Sequence, residues 1–147
     1  MKNVMKFRNF RISGTLIFAL ALILSLGSCA RKLTFQTSSV VPEAKGYVKV
    51  KKDNNDNYSI RLKTENLSDP DRLVIPKRAY MVWMDTERNG VKNVGQLKSS
   101  SGLFSKTKKS SLETATSFKP LRFFITGENA SDISYPEGPI VLTTRSY

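Results

Sequence analysis

Tyr47-Val-Lys-Val-Lys51, then Asp53-Asn-Asn-Asp-Asn57, then Tyr58-Ser-Ile-Arg-Leu-Lys63: this stretch decides the fold. Side chains on an extended chain point to opposite faces in turn, so apolar residues two apart mark a strand with one buried face. Val48 and Val50 share a face of the first run. Tyr58, Ile60 and Leu62 share a face of the second. The Asp/Asn cluster between them is rich in side chains that bond their own backbone in turns. The three pieces together predict a β-hairpin.

The same reading extends in both directions. Upstream, Leu33-Thr-Phe35-Gln-Thr37 alternates and reads as a first strand or as the end of a tether, and Val40 to Lys45, with Pro42, reads as a connector. Downstream, Asn66 to Lys77 holds Pro70 and Pro76 and predicts a long connection, with Leu73 and Val74 plugging one end of the core. Ala79-Tyr-Met-Val-Trp-Met84 is apolar on both faces, as a central strand requires. Asn89-Gly90 is the strongest short hairpin signal in the chain. Val91 to Leu97 is the returning strand, with Gly95 at the position of a bulge. Lys98 to Ser111 reads as a Ser- and Lys-rich loop, Leu112 to Thr116 as a short strand, and Leu121 to Thr126 as a strand with Leu121, Phe123 and Ile125 on one side. A loop from Gly127 to Gly138 leads to the last strand, Ile140 to Thr144. No helix of useful length appears. The expected fold is all-β, a single antiparallel Ig-like β-sandwich of seven to eight strands with Greek-key links.

Two absences narrow the chemistry. The chain has no histidine, which removes Ser-His-Asp and Cys-His catalysis and His-ligated zinc. It has a single cysteine, so no internal disulfide. That cysteine closes the run Leu26-Gly27-Ser28-Cys29. Before it stand a basic region (Lys2, Lys6, Arg8, Arg11) and the unbroken apolar run Leu16 to Leu24. A spanning helix needs roughly 20 apolar residues and this run is shorter, so a cleaved signal is the favoured reading and an uncleaved N-terminal anchor the lesser one. The whole leader resembles a bacterial lipoprotein signal. The resemblance implies cleavage before Cys29 and acylation of its thiol and new amino terminus. Two or more acyl chains anchor stably where one does not. Residues 1–28 are then signal peptide, 29–45 the lipidated Cys with a tether or first strand, and 46–147 the sandwich. Ala30-Arg31-Lys32 carries no acidic sorting signal. The expected location is the cell envelope, in the outer membrane and facing the periplasm.

A second resemblance covers about half of the remaining chain. Tyr80-Met-Val-Trp83, the charged hairpin Asp85 to Gly90, Val94-Gly95-Gln96, Ile125-Thr-Gly-Glu128 and Pro136-Glu-Gly-Pro139-Ile-Val-Leu142 occur in that order. The series is similar to the extracytoplasmic domain of anti-sigma-K-type factors. That resemblance implies a sandwich and no catalytic residues. The family's spanning helix and sigma-binding domain have no counterpart here. Compact lipoproteins of Bacteroidetes have similar stretches.

Without the leader the chain carries 20 basic and 12 acidic residues. Counted along the chain, the excess lies in one place. Residues 88–122 hold eight basic residues against Glu113 alone, whereas residues 36–87 hold nine against eight. Positive fields attract anionic surfaces. Lys98, Lys106, Lys108 and Lys109, with Leu103 and Phe104 between them, are therefore the candidate contact with an anionic envelope component such as lipid head groups, lipopolysaccharide or acidic polymer. The plainer reading, which weighs more, is a solvated loop whose Leu103 and Phe104 fold back onto the core.

Weaker signals read as structure. Asp53 to Asn57 lacks the Gly and Glu of a calcium loop, so no metal is expected. Ser105-Lys-Thr-Lys108 has Ser-x-x-Lys spacing but no helix to present it. Tyr80 and Trp83 point to opposite faces, one to the core and the other to the sheet surface or a second core, with a carbohydrate platform as the less favoured reading. Asp69 and Asp71 have no opposed partner across a cleft. The expectation is a lipid-anchored binding or structural module, without cofactor, nucleic-acid partner or catalysis of its own. Its alternatives are an accessory subunit of an envelope signalling or transport complex and, remotely, an enzyme acting on envelope polymers.

Overall fold

A computed structural model describes residues 30–100 and 108–146. The described residues form nine strands: β1 Arg31–Thr34, β2 Lys45–Lys52, β3 Tyr58–Glu65, β4 Ala79–Thr86, β5 Val91–Gln96, β6 Lys98–Ser100, β7 Lys109–Thr116, β8 Pro120–Glu128 and β9 Ile140–Thr143. A first sheet has the order β1-β2-β3-β7-β6, a second the order β5-β4-β8-β9, and every pair is antiparallel. The chain crosses between sheets after β3, after β5 and after β7. These crossings make the Greek-key order of an Ig-like sandwich, with one additional strand, β1, on the edge of the first sheet.

The alternation does what the sequence predicts. Val48 and Val50 on β2 and Ile60 and Leu62 on β3 are buried, and they meet Val82, Met84, Phe123 and Ile125 of the second sheet in one core. Each such side chain contributes roughly 1.5–3 kcal/mol by leaving water. β4 is buried on both faces because it lies inside its sheet and is covered from both sides. Tyr80, Val82 and Met84 face the main core, while Met81 and Trp83 join Phe124 in a second, smaller one.

That second core exists because the β8–β9 loop folds over the outer side of the second sheet. Ile133 packs on it, and its carbonyl accepts from Asn93 Nδ2 at 2.9 Å. Under the loop runs a buried polar chain. Trp83 Nε1 donates to Thr126 Oγ1 at 2.7 Å. Thr126 Oγ1 donates to Glu128 Oε1 at 2.5 Å, which also accepts from the Glu137 backbone N–H at 3.1 Å. Every polar group named here has a partner, which burial demands.

The β4–β5 hairpin turns at Gly90, and a register shift opposite Val82/Trp83 places a bulge at Val94–Gly95. Gly95 has φ +135°, a conformation that a side chain disfavours. Beyond β1 the chain switches sheets. Phe35 bridges Thr144, and the Gln36 backbone N–H donates to the Thr143 carbonyl at 2.8 Å.

Several expectations need correction. Of the two readings of the segment before Val40, the strand is the one observed, and it runs Arg31–Thr34 rather than Leu33 to Thr37. The region Lys98 to Ser111 is not one loop: Lys98–Ser100 is strand β6, and β7 starts at Lys109 rather than Leu112. Val74 does not plug the core; it is 95% exposed, while Leu73 is buried. Residues 101–107, with Leu103, Phe104, Ser105 and Lys106, lie outside the described residues, as do the leader and Cys29.

Candidate functional site: the outer face of the first sheet

The strands that bury Val48, Val50, Ile60 and Leu62 must turn their intervening residues to water. In β2 and β3 those residues are mostly cationic. Antiparallel register then stacks them in rows across the sheet. One row runs Lys32, Lys49, Arg61, Glu113. The next runs Thr34, Tyr47, Lys63, Ser111, Lys98. Lys45, Glu65 and Lys109 make a third on one side, and Lys51, Ser59 and Ala115 a fourth on the other. Among the described residues the face therefore holds eight cations against two carboxylates.

Both carboxylates are engaged. Glu113 takes Arg61 in a two-point contact, Nε to Oε1 at 2.6 Å and Nη2 to Oε2 at 3.3 Å. Glu65 lies 4.0 Å from Lys109 Nζ. Lys45, Lys51, Lys63 and Lys98 have no carboxylate within ion-pair distance among the described residues. Tyr47 sits half-buried among these cations, with Lys32 Nζ 4.5 Å and Lys49 Nζ 5.7 Å from its ring centroid. Where the β1–β2 connection rises beside the sheet, an open groove of about 500 Å³ forms, lined in part by Lys32, Lys45, Lys63 and Lys109. Glu65 lines the groove too, and cations held this close in excess over carboxylates make a field that favours an anionic partner.

Of the candidate contact residues, Lys98 and Lys109 are on this face, but on strands rather than in a loop. Lys108 is not with them. Its ammonium pairs with Asp69 in the β3–β4 connection, and its carbonyl accepts from the Asn66 N–H at 2.9 Å. Lys106, Leu103 and Phe104 lie outside the described residues. The segment count missed Lys32, Lys45, Lys49, Lys51, Arg61 and Lys63. The signal that finds them is the off-phase of the same alternation that found the core.

The remaining candidates are structural. Asp53 Oδ1 accepts from the backbone N–H of Asn55 and Asn57 at 2.8 and 2.9 Å, and these bonds hold its carboxyl below the usual range, the Asn57 bond most. Its carboxylate thus caps the β2–β3 turn. Asp69 is occupied by Lys108 and faces Arg72 at 3.8 Å. Trp83 is fully buried, which removes it as a carbohydrate platform. No group of three or more Cys, Asp or Glu with metal-ligand proximity occurs among the described residues.

No family model, no curated protein and no solved structure matches this chain.

Proposed function

We propose that this chain is a lipid-anchored module of a bacterial envelope that binds an anionic envelope component and performs no chemistry of its own. The observation that carries the binding role is the outer face of the first sheet, where the described residues set eight cations against two engaged carboxylates. The anchor rests on the leader and Cys29. The non-catalytic role rests on a histidine-free sequence whose buried carboxylate, Glu128, is closed under the β8–β9 loop.

Two measurements test it. Intact mass of the membrane-extracted protein should show acyl groups on Cys29, and Cys29→Ala should leave the membrane fraction. Lys49→Glu with Lys63→Glu should weaken retention on acidic vesicles or acidic polysaccharide; unchanged retention of that variant would remove the binding role. One observation favours the accessory-subunit reading: Val74 and Ile75, adjacent in the β3–β4 connection, are 95% and 67% exposed. Crosslinking in intact cells that yields a stoichiometric protein adduct, lost on Val74→Asp with Ile75→Asp, would favour it.

A further inference from the structure

The geometry points to the bilayer itself as the partner of the basic face: we infer that the domain lies with the outer side of its first sheet flat against anionic head groups. This deepens the proposed function and rests on its lipid anchor at Cys29. The first argument is reach. β1 starts at Arg31, two residues beyond Cys29. Two residues of chain extend at most about 7 Å. An acylated Cys29 therefore holds the start of β1 at head-group level, and the domain has no slack with which to stand away.

The second argument is which surface adjoins that point. β1 is the edge strand of the first sheet, and its Lys32 opposes Lys49 on β2. Strands are spaced by about 4.8 Å. The cations of β1 and β2 are thus within about 8 Å, one Debye length, of a surface that touches β1. Standing on end is the competing posture. That end holds the turns with Asp53, Asp56 and Glu87, whose carboxylates would meet the head groups. Lys52, Arg88 and Lys119 at the same end balance these three, so the end carries little net attraction, whereas the face is strongly positive. Third, Tyr47 on β2, one strand in from the edge, stands beside Lys32 and Lys49. An amphipathic ring flanked by ammonium groups is suited to the polar–apolar boundary of a bilayer.

The absence of any other cysteine supplies the test, because an introduced thiol is the only one free to label once Cys29 is acylated. Ser111→Cys places a spin label on the face at β7, two strands beyond β2, and Ser131→Cys places one on the exposed β8–β9 loop on the opposite side. The full acylated protein is put into vesicles of phosphatidylcholine alone or with phosphatidylglycerol, and collision with a water-soluble relaxation agent is measured. The expected result is a roughly fivefold loss of collision rate at the Ser111 label on anionic vesicles, reversed by added salt and by Lys49→Glu with Lys63→Glu. The Ser131 label should not change. Equal exposure of the Ser111 label on both vesicle types overturns the inference, as does equal shielding of both labels. Shielding of the Ser111 label by soluble polygalacturonate on neutral vesicles, but not by anionic lipid, also overturns it and assigns the face to a polymer. Acyl-free Cys29 in the mass spectrum refutes the anchor separately. The Ser111 label in a Cys29→Ala background, read on added anionic vesicles, then decides the face alone: salt-sensitive shielding supports it and none overturns it.

Discussion

Replacing Thr126 by Val removes one oxygen from the buried chain beneath the β8–β9 loop and leaves the shape almost unchanged. The hydroxyl is fully buried and serves two partners, accepting from Trp83 Nε1 at 2.7 Å and donating to Glu128 Oε1 at 2.5 Å. Without it the indole N–H is left unpaired in the second core, at about 1–3 kcal/mol, and Glu128 loses a bond worth about 1.5–3 kcal/mol. The two costs share one site and do not add fully, so the expected loss is about 3 kcal/mol. Against a total of about 5–15 kcal/mol, that is a large fraction. Trp83 is the only tryptophan, so its fluorescence reports the substituted site during urea unfolding. With a slope of about 2 kcal/mol/M, the midpoint should fall by about 1.5 M. Thr126→Ser keeps the hydroxyl and should lose less than about 1 kcal/mol. If Thr126→Val matched the parent within about 0.5 kcal/mol while Thr126→Ser was the weaker protein, packing of the methyl would be the stabilising element and the polar chain would be incidental.

Three further outcomes are expected. A Cβ on Gly138 would fall inside the van der Waals shell of the Gly127 carbonyl oxygen, so Gly138→Ala should cost at least about 2 kcal/mol and lower the melting temperature seen by calorimetry. Burial raises the Tyr80 hydroxyl above its ordinary value, with Ser68 offsetting part of the rise and Asp69 and Asp71 adding to it. The folded state therefore holds that proton more tightly than the unfolded state. Stability is intact below about pH 10 and falls as pH rises beyond it, and Tyr80→Phe should flatten this alkaline limb in pH-dependent urea titrations. Asp85 Oδ2 receives both Nε and Nη2 of Arg122, at 2.7 and 2.6 Å, at a partly exposed position. Asp85→Ala should cost about 1 kcal/mol at low ionic strength, and the difference from the parent should shrink in salt.

Strands with one apolar face were legible because Val48, Val50, Ile60 and Leu62 repeat every second residue. β6 was not, because Lys98-Ser-Ser100 holds no apolar residue; it is a strand only through its pairing with β7. The start of β7 was hidden for a related reason: its inward residue is Ser110, a small polar side chain buried where periodicity looks for Val or Ile. The site was obscured by counting charge along the chain. Residues 36–87 are nearly neutral as a segment, yet of their acidic residues only Glu65 is on the face, while Asp53, Asp56, Asp69 and Asp71 fall in connections. Five cations of β2 and β3 (Lys45, Lys49, Lys51, Arg61 and Lys63) share the outer side. Register, not segment, sorts the signs.

The crossing of Phe35 and Gln36 onto β9 bears on how copies behave when crowded into two dimensions. An unpaired sheet border is a template for another chain. Here β1 is only four residues long, and just beyond it the chain crosses to the second sheet through the Phe35–Thr144 bridge and the Gln36 bond to Thr143, covering the end of β9. On the opposite margin, β5 is bent by its bulge and β6 is only three residues long. Neighbours pressed side by side thus meet short or interrupted seams, a poor template for zipping into ribbons.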